Sequence, residues 1–342
     1  MISIRPFRNM DPSAILDLWR RTRIVSDDCL RPLSYELLEA WVLGQQSFDP
    51  EGLLIAWDED AVWEERPLGV RRKGRPVGCI HAVLVPNRRK ADMGPTVGSI
   101  CMILVPDDTP SAAAARVALL TAAEEYLIHR GMKTIYAGAF RGSVQLFVGF
   151  SGPIGLSCVP AGSPSCEFLI QNGYTVNNRP IRMQMSLEQY RPPVILTATR
   201  WRDKSQIVFE RVPKAQNWWD ALIKANDEWL ETLIIVEPND RPVARILVRI
   251  PALAKSHHSD EAKSFRQKKY AHIVNYHVRP DYLARGVFSY AIGETLRELV
   301  VKDEILELET VISDESSHLI PSFRAFGLQE IDQGAIFIKR LE

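Results

Sequence analysis

The sequence has no surplus of charge of either sign, with Lys+Arg and Asp+Glu both counting 42. A protein that holds nucleic acid by neutralising phosphates carries a basic excess, so no nucleic-acid partner is expected. Cysteine is sparse: Cys29, Cys79, Cys101, Cys158 and Cys166, an odd number with no CxxC pair. That favours buried free thiols in a reducing compartment over a disulfide framework. The seven histidines show no metal-ligand spacing with cysteine, and His257-His258 stands in a charged stretch, so no metal is expected. No apolar run is long enough to cross a bilayer. The opening residues Met1 to Arg8 contain no apolar stretch of signal-peptide length. A cytoplasmic protein with no membrane partner is the expectation.

What is present is ordinary globular composition, 46% hydrophobic and 25% charged, in a chain of 342 residues. That length exceeds one ordinary core and implies two domains. The best boundary is Tyr190-Arg191-Pro192-Pro193, because consecutive prolines hold the backbone extended and exclude a helix. The division is a first domain over 1–190, a linker over 191–202 and a second domain over 203–342.

Hydrophobic periodicity gives the element order. In the first half a strand over Ile2–Pro6 precedes a helix opened by Asp11-Pro12, with Asp11 as cap and Ile15, Leu18 and Trp19 on one face. A second helix starts at Ser34 and stops at Gly44. Strands follow at Gly52–Trp57, Pro76–Val85 and Val97–Val105, with a loop over Asn87–Pro95. A helix over Ser111–Arg130, aligned on Val117, Leu120, Ala123 and Leu127, ends at Gly131. Then come a strand at Thr134–Ala137, a glycine-rich segment to Ser165, a helix at Glu167–Asn172 and a last strand at Arg179–Leu187.

The second half repeats this order. Strands are expected at Gln206–Val212, Trp229–Val236, Pro242–Ile250, Ala271–Val278, Ile305–Val311 and Ala335–Leu341. Helices are expected at Asn217–Glu228, which holds Trp218 and Trp219, at Gly286–Val301 and at Ser317–Phe326. A charged loop spans Lys255–Lys269, and Pro238-Asn239-Asp240 is a turn. The fold class is α/β (α+β): two domains, each a mixed, mostly antiparallel sheet flanked by helices. The period is far longer than that of repeat proteins, so the pattern reads as a duplication.

Chemistry is expected where a strand hands over to a helix. In the second half this joint is Val278-Arg279-Pro280-Asp281-Tyr282-Leu283-Ala284-Arg285-Gly286-Val287-Phe288. Small residues there let backbone N–H groups approach a phosphate, the helix amino end carries partial positive charge, and Arg285 adds a charged donor. A plain strand–turn–helix connection with a solvated arginine fits the same residues.

The segment resembles the pyrophosphate loop of the GNAT superfamily of N-acyltransferases, Val-x-Pro followed by Arg/Gln-x-x-Gly-x-Gly/Ala. Val278, Pro280 and Gly286 match; Leu283 replaces the first Arg/Gln and Phe288 the last small residue. Downstream, Phe323-Arg324-Ala325-Phe326-Gly327-Leu328 is similar to the family's Tyr-x-x-x-Gly-Phe. In the family that tyrosine protonates the departing thiolate, and Phe323 has no hydroxyl to do so. In the first half Val105-Pro106 leads into Asp107-Asp108, with neither glycine nor Arg/Gln, and Leu169–Tyr174 again lacks the tyrosine; Ser111 is expected to cap the helix.

The resemblance implies tandem GNAT domains with degraded acyl-CoA loops, acetyl-CoA as cosubstrate and an amine as acceptor. It assigns CoA binding to Val278, Leu283, Ala284, Arg285, Gly286, Val287 and Phe288 in the second half. Backbone donors for the thioester carbonyl would lie over Asn275–Val278. Candidate bases are Tyr276, His277 and Glu309; alternation sends Tyr276 and His277 to opposite faces. Two other readings stay open: a non-catalytic acyl-CoA-binding or interaction protein, and a two-lobed α/β protein without CoA.

Overall fold

The computed structural model describes residues 1–22, 33, 35–44, 48–65, 69–85, 97–108, 110–138, 158–196, 200–215, 221, 224, 227–236, 241–250 and 270–341. Cys29, the 87–95 and 255–269 loops, the pair His257-His258, most of the glycine-rich segment, the 238–240 turn and Trp218-Trp219 lie outside them. The chain forms two compact units. Unit 1 is Met1–Arg179 with Gly334–Glu342; unit 2 is Pro180–Gln333. Residues 191–202 belong to unit 2.

In unit 1, β1 (Ile2–Pro6), β2 (Leu53–Glu65), β3 (Val70–Val85) and β4 (Val97–Leu104) pair antiparallel in that order. β5 (Thr134–Ala137) runs parallel to β4. The sheet continues with the last residues of the chain: β14 (Gln329–Arg340) places Phe337–Arg340 antiparallel to β5. β6 (Val159–Pro160) and β7 (Thr175–Asn178) also pair with β14. The helices are α1 (Pro12–Arg21), α2 (Tyr35–Leu38), α3 (Ala112–His129) and α4 (Pro164–Gln171).

The helix ends show which sequence signals acted. Pro12 opens α1, but the Asp11 side chain makes no cap bond. It accepts instead from Arg5 Nη1 at 2.7 Å, Arg5 Nη2 at 2.8 Å and the Arg8 N–H at 2.7 Å. Ser111 likewise gives α3 no side-chain cap, whereas Ser163 caps α4 through the Cys166 N–H at 3.3 Å. Ile15, Leu18 and Trp19 are buried as the periodicity requires, but Val117 is 49% exposed. Ala115, Leu119, Leu120, Ala123 and Leu127 form the buried stripe of α3. Gly98 brings this stripe close: a Cβ there would lie 2.8 Å from Leu127. Gly131, at φ 79°, stops α3 in the left-handed conformation that glycine adopts without penalty.

Unit 2 contains β8 (Ile181–Ser186), β9 (Gln206–Glu210), β10 (Glu228–Ile235), β11 (Pro242–Ile250), β12 (Tyr270–Val278) and β13 (Glu307–Ile312), with α5 (Val287–Val301) and α6 (Ile320–Ala325). Its strand order is β14-β8-β13-β12-β11-β10-β9, β14 contributing Gln329–Gln333. β12 and β13 are parallel and the other pairs antiparallel. Phe288, Ile292, Leu296 and Leu299 on α5 are all buried against Leu230, Ile246, Ile273 and Leu308 of the sheet.

Two strand readings differ from the sequence-based expectation. The strand expected over Arg179–Leu187 is β8, and a further strand, β7, precedes it; the two are parted at Arg179-Pro180, where proline has no N–H for a ladder. β8 pairs with β13 and β14, not with strands of the first half. The C-terminal strand correspondingly places its residues from Gly334 onward in unit 1. Alternation alone specifies the face a side chain takes, not which strand it lies beside.

Candidate functional site

The parallel pair of unit 2 is parted. β12 and β13 are in register from Tyr270↔Glu307 to Ile273↔Thr310 and no further. Beyond that point β12 pairs with β11, and Val311 and Ile312 pair with β8. At the last shared rung Thr310 Oγ1 donates to the Ile273 carbonyl at 3.1 Å. The next residue, Val274, is the extra residue of a bulge: Leu247 is opposite Asn275 while Val248 is opposite Ile273. A bulge bends its strand and reverses the alternation that follows. Tyr276 and Val278 therefore join the face of Ala271 and Ile273 that packs on α5.

Unit 1 carries the same device. β4 and β5 are in register from Gly98↔Ile135 to Ile100↔Ala137, and Cys101 is the bulged residue between His81↔Met102 and Ala82↔Ile100. The Gly138 N–H donates to the Ile100 carbonyl at 3.1 Å, and Ser99 Oγ to the Gly138 carbonyl at 3.3 Å. A bulge just past the last paired rung of the parallel strands is thus present in both units.

The joint after β12 is a 3-10 turn over Pro280–Arg285, then Gly286 at φ 77°, ψ 9°, then α5. The left-handed conformation explains the glycine, because a side chain there costs roughly 1–2 kcal/mol. The turn is held from outside the motif. Trp201 Nε1 donates to the Arg285 carbonyl at 2.8 Å, and Arg200 Nη2 donates to the same oxygen. The Trp201 ring lies 5.8 Å from that of Tyr282, whose ring also receives Arg279 at 5.3 Å and Arg285 at 5.5 Å. Arg279 is further bound to Asp281 at 2.7 Å.

The residues singled out from sequence fall in different settings. Val278 and Val287 are buried core positions and Phe288 is almost wholly buried, its ring 5.5 Å from Phe323 and 6.0 Å from Tyr276. These three side chains face the core, so any contact they offer a ligand is through backbone. Leu283 is 39% exposed and the Arg285 side chain is exposed; Ala284 contributes backbone within the turn. Tyr276 is half-buried against the core while His277 is exposed, on the opposite face. Glu309 is buried beside His272 Nδ1 at 3.5 Å, so the structure does not bring the three candidate bases together.

Trp201, Arg200, Val274 and His272 are absent from the sequence-based set. Trp201 lies in the aperiodic stretch after the double proline, and the other signals are registers between strands distant in sequence.

The corresponding joint in unit 1 holds an anion of its own. Asp108 accepts from Arg21 Nε at 2.9 Å, Arg21 Nη2 at 3.0 Å and Arg75 Nη2 at 3.0 Å. Asp107 is bound by Arg116 at 2.9 Å. Arg21 foremost holds the Asp108 carboxyl below its usual range. Among the described residues no group of three or more metal-ligating side chains converges, and no helix is long and apolar enough to cross a membrane.

Both units thus carry a mixed α/β sheet whose parallel pair is bulged just past its last rung and is followed by a strand–turn–helix joint. No family model and no curated protein matches the sequence. Solved structures do: this chain has the fold of GCN5-related N-acetyltransferases, in tandem. It is similar to a tandem GNAT protein from the clavulanic acid biosynthesis pathway, TM-score 0.62 at 12% identity, covering 99% of this chain and 98% of that one. A GCN5-related N-acetyltransferase from Sphaerobacter thermophilus gives TM-score 0.62 at 14% identity, covering 99% and 95%. A GCN5-related glucosamine N-acetyltransferase region of a fungal multi-domain GH3 beta-N-acetylglucosaminidase gives TM-score 0.69 at 15% identity; it covers 99% of this chain and 38% of that one.

Proposed function

We propose that the chain is an acyl-CoA-dependent N-acetyltransferase whose acetyl-CoA site lies in unit 2, with an amine as acceptor. The observation that carries this reading is the opening of β12 and β13 beyond Ile273 and Thr310, next to a turn ending in the left-handed Gly286. An opened parallel pair admits a narrow chain such as pantetheine between two strands. A bulge leaves its extra residue out of the ladder, which frees a backbone donor at Val274 for a thioester oxygen. The turn and the amino end of α5 offer backbone N–H groups and partial positive charge to the pyrophosphate. At the matching joint of unit 1 the arginines are already taken: Arg21 and Arg75 hold Asp108 and Arg116 holds Asp107, which leaves none of them open to a diphosphate. A cytoplasmic location follows on the same reading, supported by the free thiols of Cys79, Cys101 and Cys166.

Calorimetric titration of the full chain with CoA tests this directly. One site is expected, weakened at least tenfold by Gly286→Val and unchanged by Asp108→Asn. No binding, or binding insensitive to Gly286→Val, removes the reading. Release of CoA from acetyl-CoA in the presence of amines then tests turnover.

Phe323 favours a second reading, in which unit 2 binds acyl-CoA without transferring the acyl group. Its ring has no proton to give a departing thiolate and is fully buried among aromatic neighbours. Binding with no turnover on any amine supports that reading.

A further inference from the structure

Two donors from the segment after the double proline converge on one oxygen of the joint in unit 2. Arg200 Nη2 and Trp201 Nε1 both donate to the Arg285 carbonyl, the second at 2.8 Å. Trp201 is 7% exposed and is anchored on its downstream side. Its own carbonyl accepts from Ser205 Oγ at 2.7 Å and from the Lys204 N–H at 3.1 Å. Upstream, Val194 and Leu196 are 83% and 80% exposed. The segment is thus a strap, sunk at Trp201, open to solvent a few residues earlier, and tied to the joint by two side chains. Arg200 and Arg285 are exposed, and among the described residues neither guanidinium is paired with a carboxylate.

Resting on the acyl-CoA reading of unit 2, we propose that Arg200 and Trp201 are positioning residues for the diphosphate, and that they tie occupancy of the joint to the strap. The Arg285 carbonyl and the Gly286 N–H belong to one peptide group. A trans peptide directs the two to opposite sides, so the strap's donors and a phosphate oxygen use it together without competing. A bond accepted by the oxygen polarises the group and strengthens its N–H as a donor, and the reverse holds equally. Gly286, at φ 77° and ψ 9°, has no Cβ to restrict the plane of this peptide, so the strap is what fixes it. Release of the strap withdraws that fixed plane and, with Arg200, a cation.

Coupling of this kind is reciprocal. If the closed strap raises affinity for CoA by some factor, saturating CoA lowers the open fraction of the strap by the same factor. Couplings between sites commonly amount to roughly 5–150-fold, and one that runs through a single peptide group belongs at the lower end. Trypsin reads the open fraction, because it must take the Arg200 guanidinium into its own pocket, and the bond to the Arg285 carbonyl has to break first. Cleavage follows that population as long as the strap recloses faster than it is cut.

The test uses the full wild-type chain with free CoA as the probe. Cleavage after Arg200, followed by mass spectrometry, is expected to slow roughly fivefold when CoA saturates the chain, while tryptic sites in unit 1 keep their rates. In a Gly286→Val chain CoA should give no such protection. The second readout is the Trp201 indole N–H in 15N-tryptophan-labelled protein, assigned by comparison with Trp201→Phe. Its signal should shift on addition of CoA and exchange more slowly with solvent. Unchanged cleavage and an unmoved indole signal, in a chain shown by calorimetry to bind CoA, overturn the strap and leave the acyl-CoA reading standing. Absence of CoA binding removes that reading and the strap with it.

Discussion

Trp201 donates through its indole N–H to the carbonyl of Arg285 at 2.8 Å, and so holds the last residue of the turn that precedes Gly286. The bond fixes the peptide between Arg285 and Gly286, whose N–H is among those a phosphate would meet. Trp201→Phe keeps an aromatic ring against Tyr282 and loses the bond. A hydrogen bond of this kind is worth about 1 kcal/mol to the fold, so Trp201→Phe should lower the unfolding free energy by about that much, and CoA affinity should fall up to roughly fivefold as binding re-orders the loosened turn. Trp201→Ala also empties a buried ring site and should destabilise by about 3–5 kcal/mol. Calorimetry with CoA and urea unfolding, run on both variants, separate the two effects; equal CoA affinity in wild type and Trp201→Phe would mean that the turn is no phosphate site.

Asp108 supplies the negative charge at the matching joint of unit 1. Arg21 grips it through Nε and Nη2, the fork geometry that suits carboxylates, and Arg75 adds a third contact. The carboxyl is partly solvated, so Asp108→Asn should cost only about 1 kcal/mol at pH 7. The sign with pH follows from its lowered folded pKa. The stabilisation is complete above the unfolded value of about 3.9 and is lost as pH falls through the folded one. Urea midpoints of wild type and Asp108→Asn should therefore differ at pH 7 and converge as pH falls through the folded value.

Much of this architecture is legible in the sequence, and the reasons differ by element. β5, β11, α3 and α5 announce themselves by period and by glycine or proline at their ends, and appear within a residue or two of the expected bounds. Gly286 is legible because only a special backbone conformation calls for glycine between Arg285 and Val287. Val117 misled because a stripe of alanines on α3 is as good a core face as one of larger residues. The bulges at Cys101 and Val274 leave no local trace, since any residue can be the extra one. His272 passes for a polar interruption of a strand until Glu309 is found opposite it, 37 positions along the chain. Trp201 carries no periodic signal, and its function depends on a turn more than 80 residues away.

His81 makes unit 1 sensitive to acid. Burial pushes its pKa down to about 3, partly offset by Asp49, while its ring packs near Phe48 at 6.1 Å. The unfolded chain binds this proton near pH 6.5 and the folded chain does not, so folded stability falls as pH drops below 6.5 and continues to fall until about 3. At pH 5 the loss from this one group is about 2 kcal/mol. Urea unfolding at pH 7.5 and pH 5 should show a difference of that order in wild type, and His81→Leu should lack that share. An identical pH dependence in the two chains would show that the imidazole is solvated in the native state.

On the acetyl-transfer reading, Phe323 offers a departing thiolate no hydroxyl proton. Its ring is fully buried, in edge-on contact with Phe288 at 5.5 Å and with Tyr276 at 5.6 Å. A hydroxyl added to this ring must leave water, at a cost of about 1–3 kcal/mol if it gains no partner. Phe323→Tyr should therefore lower the urea midpoint and leave the rate of CoA release unchanged, because a hydroxyl held among aromatic rings is not presented to a departing sulfur. The measurements are unfolding and single-turnover CoA release on the same preparation. A Phe323→Tyr chain as stable as wild type and faster would place the ring edge at the thiolate. The phenylalanine would then mark a transferase that has given up its acid and relies on the low basicity of a thiolate leaving group.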